Sequence, residues 1–367
     1  MWKETKVVKN VGHFYSFDAR HGVYATTDKD DNSILYISGK EIPIRRAGYI
    51  RSYDDKVVVQ VDDGASLYDA MLYTKDGELL NIVKKTLSMT GNTNKRYLNT
   101  YMRDGVNYND YNNLVDIETG KVIFKEDYLG LRFVFNDMIF SNRDNIITRY
   151  DWDGSILWQH NYEPDFNVTI DLGFVLEGVC GGKLWVKSKH DRHEILLAID
   201  VNTGELIKAF SDSEEDTNLS HCNYGSFGGV YLNCENDHVL IVTMDREFNN
   251  FMNFVDAKTL DVIEKTDYTI NYDYDDEYAF RISEFQGDYI TVKIMGLNAD
   301  LANFTGFAVY NYKTKEVVFA HRLITSEHAA DGLHISTLSP LHYSPNSGCF
   351  LVHDNSENLH IFEDVKE

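Results

Sequence analysis

A short turn phrase recurs along the chain and constrains the fold more than any other feature. Residues 196–210 read LLAIDVNTGELIKAF, in which an alternating apolar run breaks at the turn D-x-x-T-G and then resumes. Residues 114–124, LVDIETGKVIF, repeat the same pattern. Asp, Thr and Gly are turn-forming residues, and an alternation with a period of two is typical of half-buried strands. Each phrase therefore predicts a β-hairpin.

Less complete copies of this turn stand elsewhere in the chain. FVDAKTLDVIE contains Asp256-x-x-Thr259, VYNYKTKEVVF contains Asn311-x-x-Thr314, and ISGKEIP, TKDGELL and DWDGSIL are shortened versions. The turn positions, at residues 39, 77, 120, 154, 204, 260 and 315, are separated by 34–56 residues. Each interval holds a further strand pair, and none holds a long amphipathic helix. This spacing predicts an all-β protein whose small sheets form the blades of a β-propeller.

The two ends of the sequence complement each other. The final stretch, GCFLVHDNSENLHIFEDVKE, supplies two strands and then stops without an outermost strand, whereas Glu4–Asn10 is a single strand without a sheet. Pairing these segments would close a ring and remove an exposed sheet edge. We therefore predict a single closed propeller over residues 1–367, with eight blades and the N-terminal strand completing the last one. Seven blades is the alternative if residues 120–154 do not hold a full blade.

The pattern A-x-D-x-x-T-G that begins at Ala198 resembles the repeat of quinoprotein-like eight-bladed propellers, and the final blade resembles a WD-type blade. The resemblance implies a tryptophan that docks shortly after each turn. Trp158 stands at such a position, whereas phenylalanines stand at the comparable places elsewhere. The quinoprotein-like family would also suggest a quinone-dependent dehydrogenase. Members commonly carry an adjacent cysteine pair, which this chain does not contain, so the sequence does not favour that activity.

The charge balance indicates which partners the protein can have. The chain has 58 acidic and 35 basic residues, a formal net charge of −23. Such a charge repels nucleic acid and anionic membranes and attracts cationic partners. No apolar leader or membrane-spanning run is present, and the four cysteines are widely spaced without a metal-type pattern. These features predict a cytoplasmic protein with reduced thiols, monomeric when free.

Residues 28–33, DKDDNS, have a spacing of oxygen ligands that suits a calcium ion. Asp28, Asp30 and Asn32 stand at alternate positions, as the ligands of hard cations do in tight loops. The stretch lacks the glycine at the sixth position and the glutamate at the twelfth position of an EF-hand. A solvated hairpin turn is the alternative reading, and no other cofactor is predicted.

One acidic stretch also contains rigid aromatic residues. Residues 267–280 read DYTINYDYDDEYAF and combine carboxylates with tyrosines. Carboxylates steer a basic protein and pair with its Lys or Arg side chains, while tyrosine rings supply buried contact area. A solvated connection between blades is the alternative. The predicted partner-binding residues are Asp267, Tyr268, Tyr272, Asp273, Tyr274, Asp275, Asp276 and Glu277.

No motif of nucleophilic, phosphate-binding or dinucleotide-binding chemistry occurs in the sequence. The predicted function is therefore a non-enzymatic, protein-binding propeller whose acidic face engages a basic partner. One form would be an inhibitor or immunity-type protein that neutralises a cationic toxin. The alternative is an enzyme, a hydrolase or lyase acting on a sugar or other small molecule at the axial mouth of the propeller.

Overall fold

The structure, a computed structural model, describes most of the chain. The described residues are 2–12, 16–62, 64, 67–89, 93–103, 110–125, 131–143, 145–162, 175–190, 193–211, 229–244, 250–267, 278–296, 304–336, 341–344 and 348–365. Within these ranges the regular structure is almost all β-strand. The one helix described, α1 (Ser326–Ala330), begins after Thr325, whose side chain accepts a hydrogen bond from the backbone N–H of His328.

The strands are named in chain order. The first twelve are β1 (Trp2–Val8), β2 (Phe17–Asp18), β3 (Val23–Thr27), β4 (Asn32–Ile37), β5 (Lys40–Arg45), β6 (Ala47–Tyr53), β7 (Lys56–Asp62), β8 (Tyr68–Thr74), β9 (Leu79–Thr86), β10 (Tyr97–Arg103), β11 (Asp110–Asp116) and β12 (Val122–Lys125). The next twelve are β13 (Arg132–Phe135), β14 (Met138–Arg143), β15 (Ile146–Tyr150), β16 (Ile156–Asn161), β17 (Val175–Cys180), β18 (Lys183–His190), β19 (His193–Asp200), β20 (Leu206–Ser211), β21 (Gly229–Asn233), β22 (His238–Met244), β23 (Asn250–Asp256) and β24 (Val262–Asp267). The last seven are β25 (Tyr278–Gln286), β26 (Tyr289–Gly296), β27 (Phe304–Asn311), β28 (Glu316–Arg322), β29 (His342–Ser344), β30 (Cys349–His353) and β31 (Leu359–Asp364).

These strands form antiparallel meanders in which each strand pairs with the next one along the chain. Strands β2–β5, β13–β16, β17–β20, β21–β24 and β25–β28 each make one four-stranded sheet. Strands β6–β12 make a seven-stranded sheet, and β29–β31 are joined by β1 in the remaining sheet described. The prediction of an all-β propeller is confirmed.

The recurring turn is closed by its own side chains. The Asp200 carboxylate accepts hydrogen bonds from the backbone N–H groups of Asn202 and Thr203, at 2.8 and 3.0 Å. The N–H of Gly204 donates to the Asp200 carbonyl at 3.0 Å, and Gly204 has a φ of +74°. An aspartate followed by a residue in the left-handed region therefore makes the turn between the third and fourth strands of the sheet.

The degenerate copies make the same turn without glycine. Leu260 and Lys315 occupy the glycine position with φ values of +64° and +63°, and their N–H groups donate to the carbonyls of Asp256 and Asn311. A left-handed L-residue costs roughly 1–2 kcal/mol, so the surrounding sheet must hold these turns in place. The weaker sequence matches are thus genuine members of the repeat.

Trp158 packs on the turn of the next sheet, as the docking position predicted. Its indole N–H donates to the Val201 carbonyl at 2.8 Å. A Cβ placed on Gly204 would lie 2.7 Å from Trp158 Cδ2, a distance that real Cβ atoms do not adopt. Phe124 lies in the same way against Gly154, with its Cε1 3.0 Å from a Cβ placed there. The aromatic ring of one sheet therefore occupies space in the turn of the next sheet that is free only because the turn residue is glycine.

Apolar packing joins each meander to its successor. Within the described residues, the eight hydrophobic clusters each span two consecutive sheets or meanders. One example combines Trp185 and Phe210 of the β17–β20 sheet with Val239 and Val255 of the β21–β24 sheet. Each fully buried side chain of this size contributes roughly 1.5–3 kcal/mol. The ring is held together mainly by sheet faces packed on sheet faces.

The N-terminal strand closes the ring, as predicted. Strand β1 pairs antiparallel with β31, from Trp2 opposite Asp364 to Val8 opposite Leu359. The cluster that contains Val8 and Leu359 also contains Phe17 of the first sheet, so the last sheet packs on the first. The Nε2–H of His353 donates to the Val11 carbonyl at 2.6 Å. The two ends of the chain are thereby fixed to each other.

The seven-stranded sheet bears on the number of blades. Its β6–β9 and β10–β12 parts are joined at one residue pair, Thr86 opposite Thr100. A hydrophobic cluster with Val58 and Leu72 on one side and Leu98 and Val115 on the other lies between the two parts. Counting them separately gives eight units, and counting the sheet once gives seven. Eight blades remains our prediction.

Because Trp158 docks on Gly204 and no described side chain docks on Gly39, replacing the two glycines by alanine should lower the free energy of unfolding by different amounts. Gly39 has the same φ of +74° as Gly204, but a Cβ placed on it would meet nothing within 4 Å. We expect Gly39→Ala to lower the free energy of unfolding by about 1 kcal/mol, through backbone strain alone. Gly204→Ala should lower it by about 3 kcal/mol, because overpacking against the indole adds to that strain. Urea denaturation of both variants measures the difference, and equal losses would contradict the docking role.

Candidate functional site

The predicted partner-binding stretch lies between the β21–β24 sheet and the next. Asp267 ends β24, where its backbone pairs with that of Phe251, and β25 begins at Tyr278. The side chain of Asp267 and all of residues 268–277 lie outside the described residues. Strand β24 is the fourth strand of its sheet and β25 is the first of the following sheet. The two ends of the stretch therefore lie at the opposite end of the sheets from the D-x-x-T-G turns.

The predicted calcium loop is the turn between β3 and β4. The Asp28 carboxylate accepts hydrogen bonds from the backbone N–H groups of Asp30 and Asn32, at 2.8 and 2.9 Å. The Asn32 side-chain amide also donates to the Asp28 carboxylate. These bonds hold the pKa of the Asp28 carboxyl below its usual value, chiefly through the Asn32 backbone. Among the described residues, no group of three or more His, Cys, Asp or Glu side chains could hold a metal ion. Calcium binding here stays a prediction.

The first strands of successive sheets approach each other around the axis. Contacts join β2 with β6, β17 with β21, and β21 with β25. In an antiparallel meander the turn after the first strand lies at the same end as the turn after the third. The ends of the first strands therefore gather on the side of the D-x-x-T-G turns. Residues from sheets far apart in the sequence meet there.

Asp18 and Arg51 are the first two members of a charged cluster at this end, which we call the axial cluster. Asp18 ends β2 and is only 7% exposed. Its carboxylate accepts a hydrogen bond from the N–H of Arg20 at 2.9 Å and another from the N–H of Ser52 at 3.0 Å. Ser52 belongs to β6, so the second bond links two successive sheets. Arg51 precedes it and donates from Nη1 to its neighbouring carbonyl, that of Ile50, at 2.7 Å.

Lys95 and Glu284 complete the axial cluster. Lys95 lies in the turn before β10, and Glu284 lies near the end of β25. Burial lowers the pKa of Lys95 to about 7, and the positive charge of Arg51 acts in the same direction. Burial raises the pKa of Glu284 to about 8, and the negative charge of Asp18 adds to the effect while Arg51 opposes it. Both side chains lie deep in the molecule yet keep some solvent-accessible surface.

The axial cluster has the properties of a site that handles polar ligands or protons. It combines carboxylates with cationic groups on three strands and one turn, and burial brings the pKa values of Lys95 and Glu284 close to neutrality. A fixed charge of each sign can also orient a small polar molecule. The cluster contains no histidine and combines residues as far apart in the sequence as 18 and 284. No local sequence motif therefore predicts it. The sequence signal that could have indicated it is that Asp18, Arg51 and Glu284 are charged residues within the first strands of their sheets.

Comparisons with known proteins at the level of sequence found no match. No protein-family model matches the chain. No curated protein sequence matches it either. In the described residues, no helix is both long enough and apolar enough to cross a membrane.

Solved structures give likenesses of fold at low sequence identity. The WD40 domain of Toxoplasma gondii coronin aligns with a TM-score of 0.46 and 11% identity, covering 95% of this chain and 88% of that one. Apo AztD from Citrobacter koseri aligns at 0.47 and 11%, covering 83% and 85%. A eukaryotic initiation factor aligns at 0.49 and 11%, covering 89% and 77%. The propeller fold itself is established by the strand pairing and by the packing of sheet on sheet.

The perturbed groups of the axial cluster predict two opposite pH dependences. Glu284 has a pKa of about 8 in the fold against an ordinary value of 4.5, so the unfolded chain loses this proton first. Its contribution to stability therefore falls as the pH rises from 4.5 to about 8. Lys95 has a pKa of about 7 against an ordinary 10.5, so its contribution rises between those values.

Two substitutions separate these contributions. Glu284→Gln should flatten the fall in the free energy of unfolding below pH 8, because the amide resembles the protonated carboxyl. Lys95→Met should flatten the rise above pH 7, because the methionine carries no titrating group. Urea denaturation at intervals of pH measures both slopes. Variant slopes equal to those of the wild type would show that these two groups are not perturbed.

Proposed function

We propose that this propeller is a protein-binding module whose acidic surface engages a basic protein partner. The stretch from Asp267 to Glu277 forms the contact, with its carboxylates pairing to Lys or Arg and its tyrosines supplying buried area. An inhibitor or immunity-type protein that neutralises a cationic toxin is the concrete form of this proposal. The observation that carries it is the formal net charge of −23 on a closed and rigid ring.

The physical support comes from long-range attraction and from a preorganised scaffold. A net charge of this size accelerates encounter with a cationic protein and does so most strongly at low ionic strength. Sheets packed all round a ring move little on binding, so the scaffold loses little conformational freedom. Tyrosine adds contact area with few rotatable bonds, which makes it a frequent residue at binding hot spots.

The chain contains a matched control for the test. Residues 211–218, SDSEEDTN, run from the end of β20, a fourth strand, into the segment that precedes β21, a first strand. A binding variant neutralises Asp273, Asp275, Asp276 and Glu277 with Asn or Gln. A control variant neutralises Asp212, Glu214, Glu215 and Asp216 in the same way. Both remove four negative charges, so the two variants have the same net charge and differ in the place where it changes.

Immobilised wild-type and variant proteins are compared by quantitative capture from extract of the source cell. We expect the wild type and the control variant to retain the same basic protein at about 50 mM salt and to lose it at about 0.5 M, because salt screens the attraction. The binding variant should retain at least about tenfold less, which corresponds to a loss of about 1.4 kcal/mol. Equal loss in both variants would reject this stretch as the contact. Capture that salt does not change would reject the electrostatic basis.

The axial cluster supports a second candidate function, an enzyme acting on a sugar or other small molecule. Arg51 and Lys95 could orient an anionic or hydroxyl-rich ligand, while Glu284 could hold or release a proton near neutral pH. Thermal denaturation in the presence of a panel of sugars and sugar acids tests this function. A rise in melting temperature that is smaller in Glu284→Gln than in the wild type would favour the enzyme, provided that this variant still binds the basic partner. No rise with any compound would count against it.

A further inference from the structure

Two cysteines from consecutive sheets lie side by side. Cys180 ends β17, the first strand of its sheet, and Cys234 lies in the turn between β21 and β22 of the next sheet. Cys180 is buried, whereas Cys234 is exposed. The two residues are 54 positions apart in the sequence, so no C-x-x-C spacing indicated the pair.

Hydrogen bonds from each thiol to the neighbouring sheet bring the two cysteines together. The Cys234 thiol donates to the carbonyl of Val179, the residue before Cys180, at 3.1 Å. The Cys180 Sγ lies 3.9 Å from the carbonyl of His238, on the strand that follows Cys234. The interaction between the two neighbouring thiols raises the pKa of Cys180 and lowers that of Cys234. The exposed member is therefore the easier one to ionise.

The backbone around the pair is closely packed across the boundary between the two sheets. A Cβ placed on Gly181, the residue after Cys180, would lie 2.5 Å from the backbone of Ala257 in the next sheet. Lys258 forms an ion pair with Asp237 at 2.5 Å, and its charge also reaches Cys180. Glu235 and Asp237 are the carboxylates that face Cys234. The two turns are thus pressed together by packing that does not depend on the thiols.

We propose that Cys180 and Cys234 form a redox-active pair that closes into a disulfide and joins two consecutive sheets covalently. A low-molecular-weight disulfide, such as oxidised glutathione, is the oxidant. The exposed Cys234 reacts with it and the buried Cys180 resolves the intermediate. Intracellular disulfides in proteins are mostly transient and regulatory, which fits a pair with one accessible member.

The reaction balances in two exchange steps. The Cys234 thiolate attacks one sulfur of the small disulfide, forms a mixed disulfide and expels a thiolate that takes up a proton. Cys180 then attacks the Cys234 sulfur, forms the new S–S bond and expels the second small thiolate, which receives the Cys180 proton. The protein loses two electrons and the small disulfide gains them. One small disulfide becomes two small thiols.

The disulfide would change how the ring opens. Without it, these two sheets are joined by apolar packing and hydrogen bonds, as in the cluster that contains Cys180 and Trp185. A crosslink across 54 residues removes much of the freedom of the unfolded chain. The oxidised protein should therefore unfold at a higher temperature than the reduced one.

The test uses the full chain and oxidised glutathione as the probe. After oxidation, alkylation in denaturant should find two of the four thiols protected, and the intact mass should fall by about 2 Da. Peptide mapping without reductant should give one crosslink, between Cys180 and Cys234. The melting temperature should rise by several degrees and return when a reductant is added.

Single substitutions make the outcome decisive. Cys234→Ser changes an exposed residue and should abolish the crosslink and the rise in melting temperature. Cys349→Ser, at a buried position in the last sheet, and Cys222→Ser, outside the described residues, should leave both unchanged. Four free thiols after oxidation would overturn the proposal, as would Cys234 retaining glutathione without a crosslink. A crosslink from Cys234 to Cys222 would overturn it too.

Discussion

The packing of one small sheet on the next is the interaction on which the rest of this structure depends. A four-stranded sheet has two faces and cannot bury either alone, so each face is covered by a neighbour. The described clusters alternate with the sheets around the ring, and the last of them brings Val8 and Leu359 against Phe17. Once every face has a partner, the chain has to close on itself. The pairing of β1 with β31 provides that closure and covers the free edge of β31.

Closure has a consequence for chemistry at the axis. Sheet faces are covered by other sheets, but the first strands converge on a line that no further sheet can cover. Side chains on those strands therefore meet one another and water, and they can be charged. Asp18, Arg51 and Glu284 occupy such strands, and Lys95 reaches the same end from a turn. Burial by the surrounding sheets shifts the pKa values of Lys95 and Glu284 toward neutrality, which a single exposed hairpin could not do.

The turns show how the repeat tolerates divergence. In the complete copies, aspartate closes the turn and glycine takes the left-handed position, so the local sequence is sufficient. Leu260 and Lys315 adopt that conformation only because the sheets on both sides hold them. The same packing sets two cysteines against each other across a sheet boundary. The contacts between these side chains therefore arise between neighbouring units of the ring and not within one unit.

The sequence by itself determined the class of fold, the positions of the turns and the closure by the N-terminal strand, because hairpin chemistry and strand alternation are local properties. It also identified Trp158 as a docking residue, since its position relative to the turn is fixed by the repeat. Only the tertiary structure decided which charges share the axis, because Asp18 and Glu284 are brought together by ring geometry and not by spacing along the chain. The pairing of Cys180 with Cys234 has the same origin, since it depends on how tightly one sheet packs on the next.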